Sequence, residues 1–64
     1  MTFSLILDMD QDILENDYTQ EFNDQYGIID IIPTGYMMGG YKEMEIFFKT
    51  QDLKDQYIKE FDIE

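Results

Sequence analysis

Asp8, Asp10 and Asp12 place three carboxylates at alternate positions, the spacing with which a calcium loop presents its first ligands. An EF-hand loop also requires glycine at its sixth position and a bidentate glutamate at its twelfth. Counted from Asp8, those positions hold Ile13 and Thr19, so no specific metal site is expected. The acids read instead as a helix N-terminus, where the helix dipole favours negative charge. Histidine and cysteine are absent, which removes thiolate zinc sites and imidazole ligands. No cofactor is implied.

The run Leu5-Ile6-Leu7-Asp8-Met9-Asp10 resembles the strand-plus-D-x-D nucleophile motif of haloacid-dehalogenase-like phosphotransferases. That resemblance implies a doubly wound sheet with a downstream lysine and an acidic pair around Mg²⁺, and 64 residues do not build one. Ser4 is the single serine and falls inside the first expected strand. Carboxylate pairs abound, but acid–base catalysis needs a pocket that shifts one pKa, and so small a chain has little room for one. The expectation is a protein that is not an enzyme.

What the acids can do is attract cations. Eight carboxylates and no basic residue precede Lys42, and the net charge is −11. Direct binding to nucleic acid is excluded because phosphate contacts need Lys or Arg, and an anionic membrane surface is excluded on the same ground. No apolar run approaches the ~20 residues of a membrane span, and no basic segment leads into an apolar stretch as in a signal peptide. A cytoplasmic protein is expected, and the lack of cysteine is compatible with a reducing compartment.

Nine isoleucines and ten Phe and Tyr residues point to a packed core rather than a disordered acidic tail. Residues 1–64 form a single small acidic domain, and one this small is marginal unless oligomerisation adds to its core. Thr2–Leu7 alternates as a strand, with Phe3, Leu5 and Leu7 on one face and Ser4 and Ile6 on the other. A helix is predicted from about Gln11 to Tyr26 on the row Leu14, Tyr18, Phe22 and Tyr26, closed by Gly27. A second strand starts at Ile28. Gly39-Gly40 is the hairpin turn, with Thr34-Gly35 after Pro33 as a competing site. Tyr41–Lys49 is the third strand, and Thr50 or Asp52 caps a last helix stabilised by an Asp55–Lys59 pair.

The fold class is therefore α+β: a βαββα chain with a three-stranded antiparallel sheet, order 1-3-2, and two helices on one face. It resembles a ferredoxin-like fold truncated by its final strand, with an open edge on the first strand. With the turn at Gly39-Gly40, Met38 opposes Tyr41, Tyr36 opposes Glu43, Thr34 opposes Glu45, Ile32 opposes Phe47, and Asp30 opposes Lys49 as an ion pair. That register leaves Ile32, Phe47, Tyr36, Tyr41 and Met38 on the helix-free face, rimmed by Glu43 and Glu45.

Asp10, Asp17 and Asp24 repeat every seven residues, and Glu21 joins them. On one continuous helix they make an acidic ridge about 20 Å long, with Asp12 and Glu15 near its start. The partner-binding set is therefore Asp10, Asp12, Glu15, Asp17, Glu21, Asp24, Tyr36, Tyr41, Glu43 and Glu45. The function expected from it is an acidic DNA mimic, encoded by a phage or mobile element, that inhibits a basic nucleic-acid-binding protein such as a nuclease, a glycosylase or a CRISPR effector. The alternative is a homodimeric interaction module that pairs through the open sheet face or the edge strand, or an antitoxin-like partner of a basic protein, with Ile32, Met38 and Phe47 at the dimer interface and acids serving solubility.

Overall fold

The alternating runs of the first and third segments each place one apolar row against the helices, and the sheet grows from those rows. The computed structural model describes residues 3–63, so Thr2 lies outside the described residues. Strand β1 spans Phe3–Met9, helix α1 Gln11–Asn16, helix α2 Gln20–Tyr26, β2 Ile28–Met38, β3 Tyr41–Phe48 and helix α3 Gln51–Glu60. The sheet is antiparallel with β3 in the centre, order β1-β3-β2, as expected. The fold is α+β, with helices packed on the sheet.

On β3, Met44, Ile46 and Phe48 point into the core, and Ile46 has no exposed surface. Met9, Ile28 and Tyr57 complete the fully buried set. Each such side chain contributes about 1.5–3 kcal/mol of burial. Around Tyr57 the helices contribute Phe22, Tyr26 and Phe61, with edge-on ring pairs at 6.4 Å for Phe22–Tyr57 and 5.6 Å for Tyr26–Tyr57. Such geometry aligns the positive ring edge with the negative face.

The predicted helix from Gln11 to Tyr26 is in fact two. Asp10 caps α1 by accepting from the Ile13 backbone N–H at 2.8 Å, and Thr19 caps α2 by accepting from Phe22 at 3.2 Å. The break falls at Asp17–Thr19, where a β-region Thr19 (φ −75°, ψ 165°) starts the second helix. Asn16, Asp17, Tyr18 and Thr19 are all weak helix formers, and three of them carry side chains that favour caps over helix interiors. The row Leu14, Tyr18, Phe22 and Tyr26 still packs on the core, but no continuous helix carries it. Gly27 closes α2 in the left-handed conformation at φ 70°.

Two bulges in β2 correct the expected register. Met38 does oppose Tyr41 across the Gly39-Gly40 turn. Beyond Met37–Lys42 the pairing resumes only at Pro33–Met44, so Thr34, Gly35 and Tyr36 together face Glu43. The competing turn site at Thr34-Gly35 is thus a bulge, with Gly35 at φ 99°. Ile32 then opposes Glu45 rather than Phe47, and Asp30 opposes Phe47 rather than Lys49. The expected Asp30–Lys49 pairing is not formed. Asp30 accepts from the Ile31 N–H, and the Lys49 N–H donates to the Gly27 carbonyl. In α3, capped by Thr50, Asp55 accepts from Gln51 at 2.8 Å, the role expected of Lys59.

Candidate functional site

A slip of two residues keeps Asp30 through Pro33 on their own faces, so the helix-free face is composed much as expected despite the altered pairing. Its rows read across the sheet. Ser4, Phe47 and Asp30 form the first, Ile6, Glu45 and Ile32 the second, and Asp8 and Glu43 the third, with Met38 beside Tyr41 at the hairpin end. Acids and apolar groups are interspersed, with Asp8, Glu43 and Glu45 adjacent to one another. Glu43 and Glu45, expected at the rim, stand on the central strand in the middle of the face.

These carboxylates are oriented by neutral donors. The Ser4 hydroxyl donates to Glu45 at 2.7 Å, and the Thr34 hydroxyl to Glu43 at 2.7 Å. Neither bond removes charge, and Asp8, Asp30, Glu43 and Glu45 share this face. Lys42 opposes Met9 and Met37 on the helix side, where its ammonium donates to Gln11 at 3.4 Å. Lys54 and Lys59 belong to α3.

At the hairpin end of the face, Asp8, Tyr36, Met38 and Tyr41 enclose an open hollow of about 480 Å³. The Tyr36 hydroxyl reaches Met38 Sδ at 4.0 Å. One carboxylate beside two phenol rings and a thioether suits a cation on an aliphatic stem, as in lysine or arginine. Asp8 was expected to offer a helix cap, and its place in this hollow was not read from the sequence; nor was the joining of Ile6 to the face, whereas Asp30 lies on the face expected for it. The signal was present in β1, whose even positions pair with the odd positions of β3.

The helical acids lie in the opposite layer. Asp12 and Glu15 are exposed on α1, Asp17 is its C-cap, and Glu21 and Asp24 are exposed on α2. Asp10 is occupied as the α1 cap, and the break between the helices removes the single straight ridge. Glu15 accepts from Gln11 and Asp24 from Gln20, each at 2.9 Å. The ten residues expected to meet a partner are therefore divided between two faces of the molecule. Among the described residues, no three carboxylates converge in a way that would hold a metal ion. Nor is any helix long and apolar enough to cross a membrane.

The helix layer contains one further polar feature. The Tyr18 and Tyr57 hydroxyls lie 2.8 Å apart at a groove of about 530 Å³ between α1, α2 and α3. Burial raises the pKa of both phenols, and the shared hydrogen bond raises that of Tyr57 further. Both therefore remain neutral and tie the α1–α2 link to α3.

Compared with known protein families, curated proteins and solved structures, the chain matches none.

Proposed function

We propose that this protein is a non-catalytic acidic mimic of nucleic acid that occupies the basic groove of a DNA- or RNA-processing protein and blocks it. The observation that carries the reading is the helix-free face, where Asp8, Asp30, Glu43 and Glu45 stand unneutralised among Ile6, Ile32, Tyr36, Met38 and Tyr41. A groove that binds phosphates presents Lys and Arg, and carboxylates held in a fixed array meet the same charges. Complementary charge steers encounter and speeds association. The aromatic and Met side chains supply the anchors from which an interface draws most of its energy. The Asp8 hollow receives one basic side chain, with its stem against Tyr36 and Tyr41.

The alternative, a homodimer packed face to face through Ile32, Met38 and Phe47, is disfavoured by the same array. A twofold contact sets the patch against itself. Four carboxylates would then meet four carboxylates in a desolvated space, at a cost of several kcal/mol per unpaired ion.

The deciding experiment takes basic nucleic-acid enzymes retained from a bacterial lysate, purifies them, and measures their affinity for this protein. Binding is expected to weaken at least about tenfold between about 50 and about 200 mM salt, and duplex DNA should compete for it. Partners whose binding is indifferent to both salt and DNA would overturn the reading.

A further inference from the structure

β1 lies at one edge of the sheet, with β3 on one side and, among the described residues, no strand on the other. The opposite edge, β2, carries Pro33 and two bulges, devices that keep a foreign strand from pairing. β1 has neither: its seven residues pair with β3 from Phe3 to Met9 without a register shift, and they include no Pro, Gly or Lys. Its helix-side row is also left unfinished. Phe3, Leu5 and Leu7 are only half-buried, whereas the residues opposite them, Phe48, Ile46 and Met44, are fully buried.

We infer that β1 pairs antiparallel with β1 of a second copy of this chain, in the register centred on Ile6, to give one continuous six-stranded sheet. Directly opposed residues in an antiparallel pair share a face, so only registers centred on a residue match apolar row to apolar row. Centring on Leu5 leaves Asp8 and Met9 unpaired, and centring on Leu7 sets Asp8 against Ile6. Centring on Ile6 pairs all seven residues. Phe3 then meets Met9 of the second copy, Leu5 meets Leu7, Ser4 meets Asp8, and Ile6, itself 53% exposed, meets its own twofold mate.

Charge permits this contact where it forbids the face-to-face one. Asp8 is the only charged residue of β1. In this register the two Asp8 side chains stand four residues apart along the strands, about 14 Å, beyond the Debye length of about 8 Å at physiological salt. The long-range repulsion between two copies of net charge −11 remains. Salt screens it, so self-association strengthens with salt while binding to a basic partner weakens. The dimer merges two helix-free faces into one and doubles its carboxylate array.

Sedimentation equilibrium of the whole chain at about 1 mM, where a dissociation constant of about 100 μM gives mostly dimer, should show a mass well above 7.7 kDa that rises with salt. Cysteine placement tests the register in a chain that has none. Opposed Cβ atoms lie about 4.5–5.5 Å apart, near disulfide reach, so Ile6→Cys should oxidise to a covalent dimer. Asp8→Cys alone should do so at least about tenfold more slowly, and Ser4→Cys mixed with Asp8→Cys should restore the faster rate. Ile6→Lys should weaken the dimer at least about tenfold without changing the far-UV circular dichroism. A monomer at both low and high salt, a mass that falls with salt, or equal oxidation of Ile6→Cys and Asp8→Cys would overturn the inference.

Discussion

Ile28 and Asp30 lie two residues apart on one strand yet point to opposite sides of the sheet, because the bulge at Ile29 adds a residue against the Phe48–Phe47 step of β3. Without it, Ile28 would share the open face with Asp30 and Ile32. With it, Ile28 is 6% exposed and Ile29 is 60% exposed. Neighbouring isoleucines should therefore differ sharply. Ile28→Ala is expected to destabilise by about 2–4 kcal/mol, and Ile29→Ala by no more than about 0.5 kcal/mol, as read from urea unfolding midpoints.

The Tyr18–Tyr57 hydroxyl pair predicts a non-additive cycle. Tyr18→Phe leaves the Tyr57 hydroxyl buried without its partner and should destabilise by about 1–3 kcal/mol. Removing both hydroxyls together should come closer to wild type than the sum of the single changes. Chemical denaturation of the four proteins measures the coupling directly.

The same pair sets an alkaline limit. Both phenols have folded pKa values above the ordinary value of 10.0. Stability is therefore full below the unfolded value near pH 10 and declines above it, as the unfolded chain ionises first and binds fewer protons. Urea midpoints should be level from about pH 8 to about pH 9.5 and fall beyond about pH 10. The Tyr18→Phe/Tyr57→Phe double variant should show a smaller fall.

Asp8 and Glu43 oppose one another across the sheet, and like charges in that position destabilise. Glu43→Gln keeps an oxygen that can accept from Thr34 and removes the repulsion. It should raise stability by a few tenths of a kcal/mol at low salt, while slowing association with a basic protein several-fold. Thermal melts and stopped-flow association rates should thus move in opposite senses.

Gly27 allows a close approach between the end of α2 and Leu53 of α3. It takes φ 70°, and a Cβ there would collide with Leu53 Cδ1. Gly27→Ala combines left-handed strain of about 1–2 kcal/mol with that overlap. The loss should exceed that of Ala at Gly39, also at positive φ but with no neighbour within 4 Å.

Much of this arrangement was legible in the residues and some was not. Two consecutive glycines at 39 and 40 identified the hairpin, and the clean alternation of Met44, Ile46 and Phe48 identified the central strand. The bulges were hidden. Five residues from Ile28 to Ile32 hold four isoleucines, so either parity buries apolar groups and nothing local selects one. The helix break was also masked, because the i, i+4 row from Leu14 to Tyr26 is satisfied by two short helices as well as by one long one. Its signal lay in the polar run Asn16-Asp17 and the cap-forming Thr19. The acids of the candidate site were identified individually. Their division between two faces depends on that break and on the pairing of β1 with β3, which no spacing within one segment displays.

The placement of the four lysines has a practical consequence. Lys49, Lys54 and Lys59 all follow β3 in the chain, and Lys42 turns to the helix side. Lys54 and Lys59 lie on α3, whereas Lys49 is an exposed residue two positions beyond Phe47. A fluorophore or surface tether coupled through lysine in a Lys49→Arg variant therefore attaches away from the sheet's open face. Immobilised in that way, the molecule would present Asp8, Glu43 and Glu45 outward.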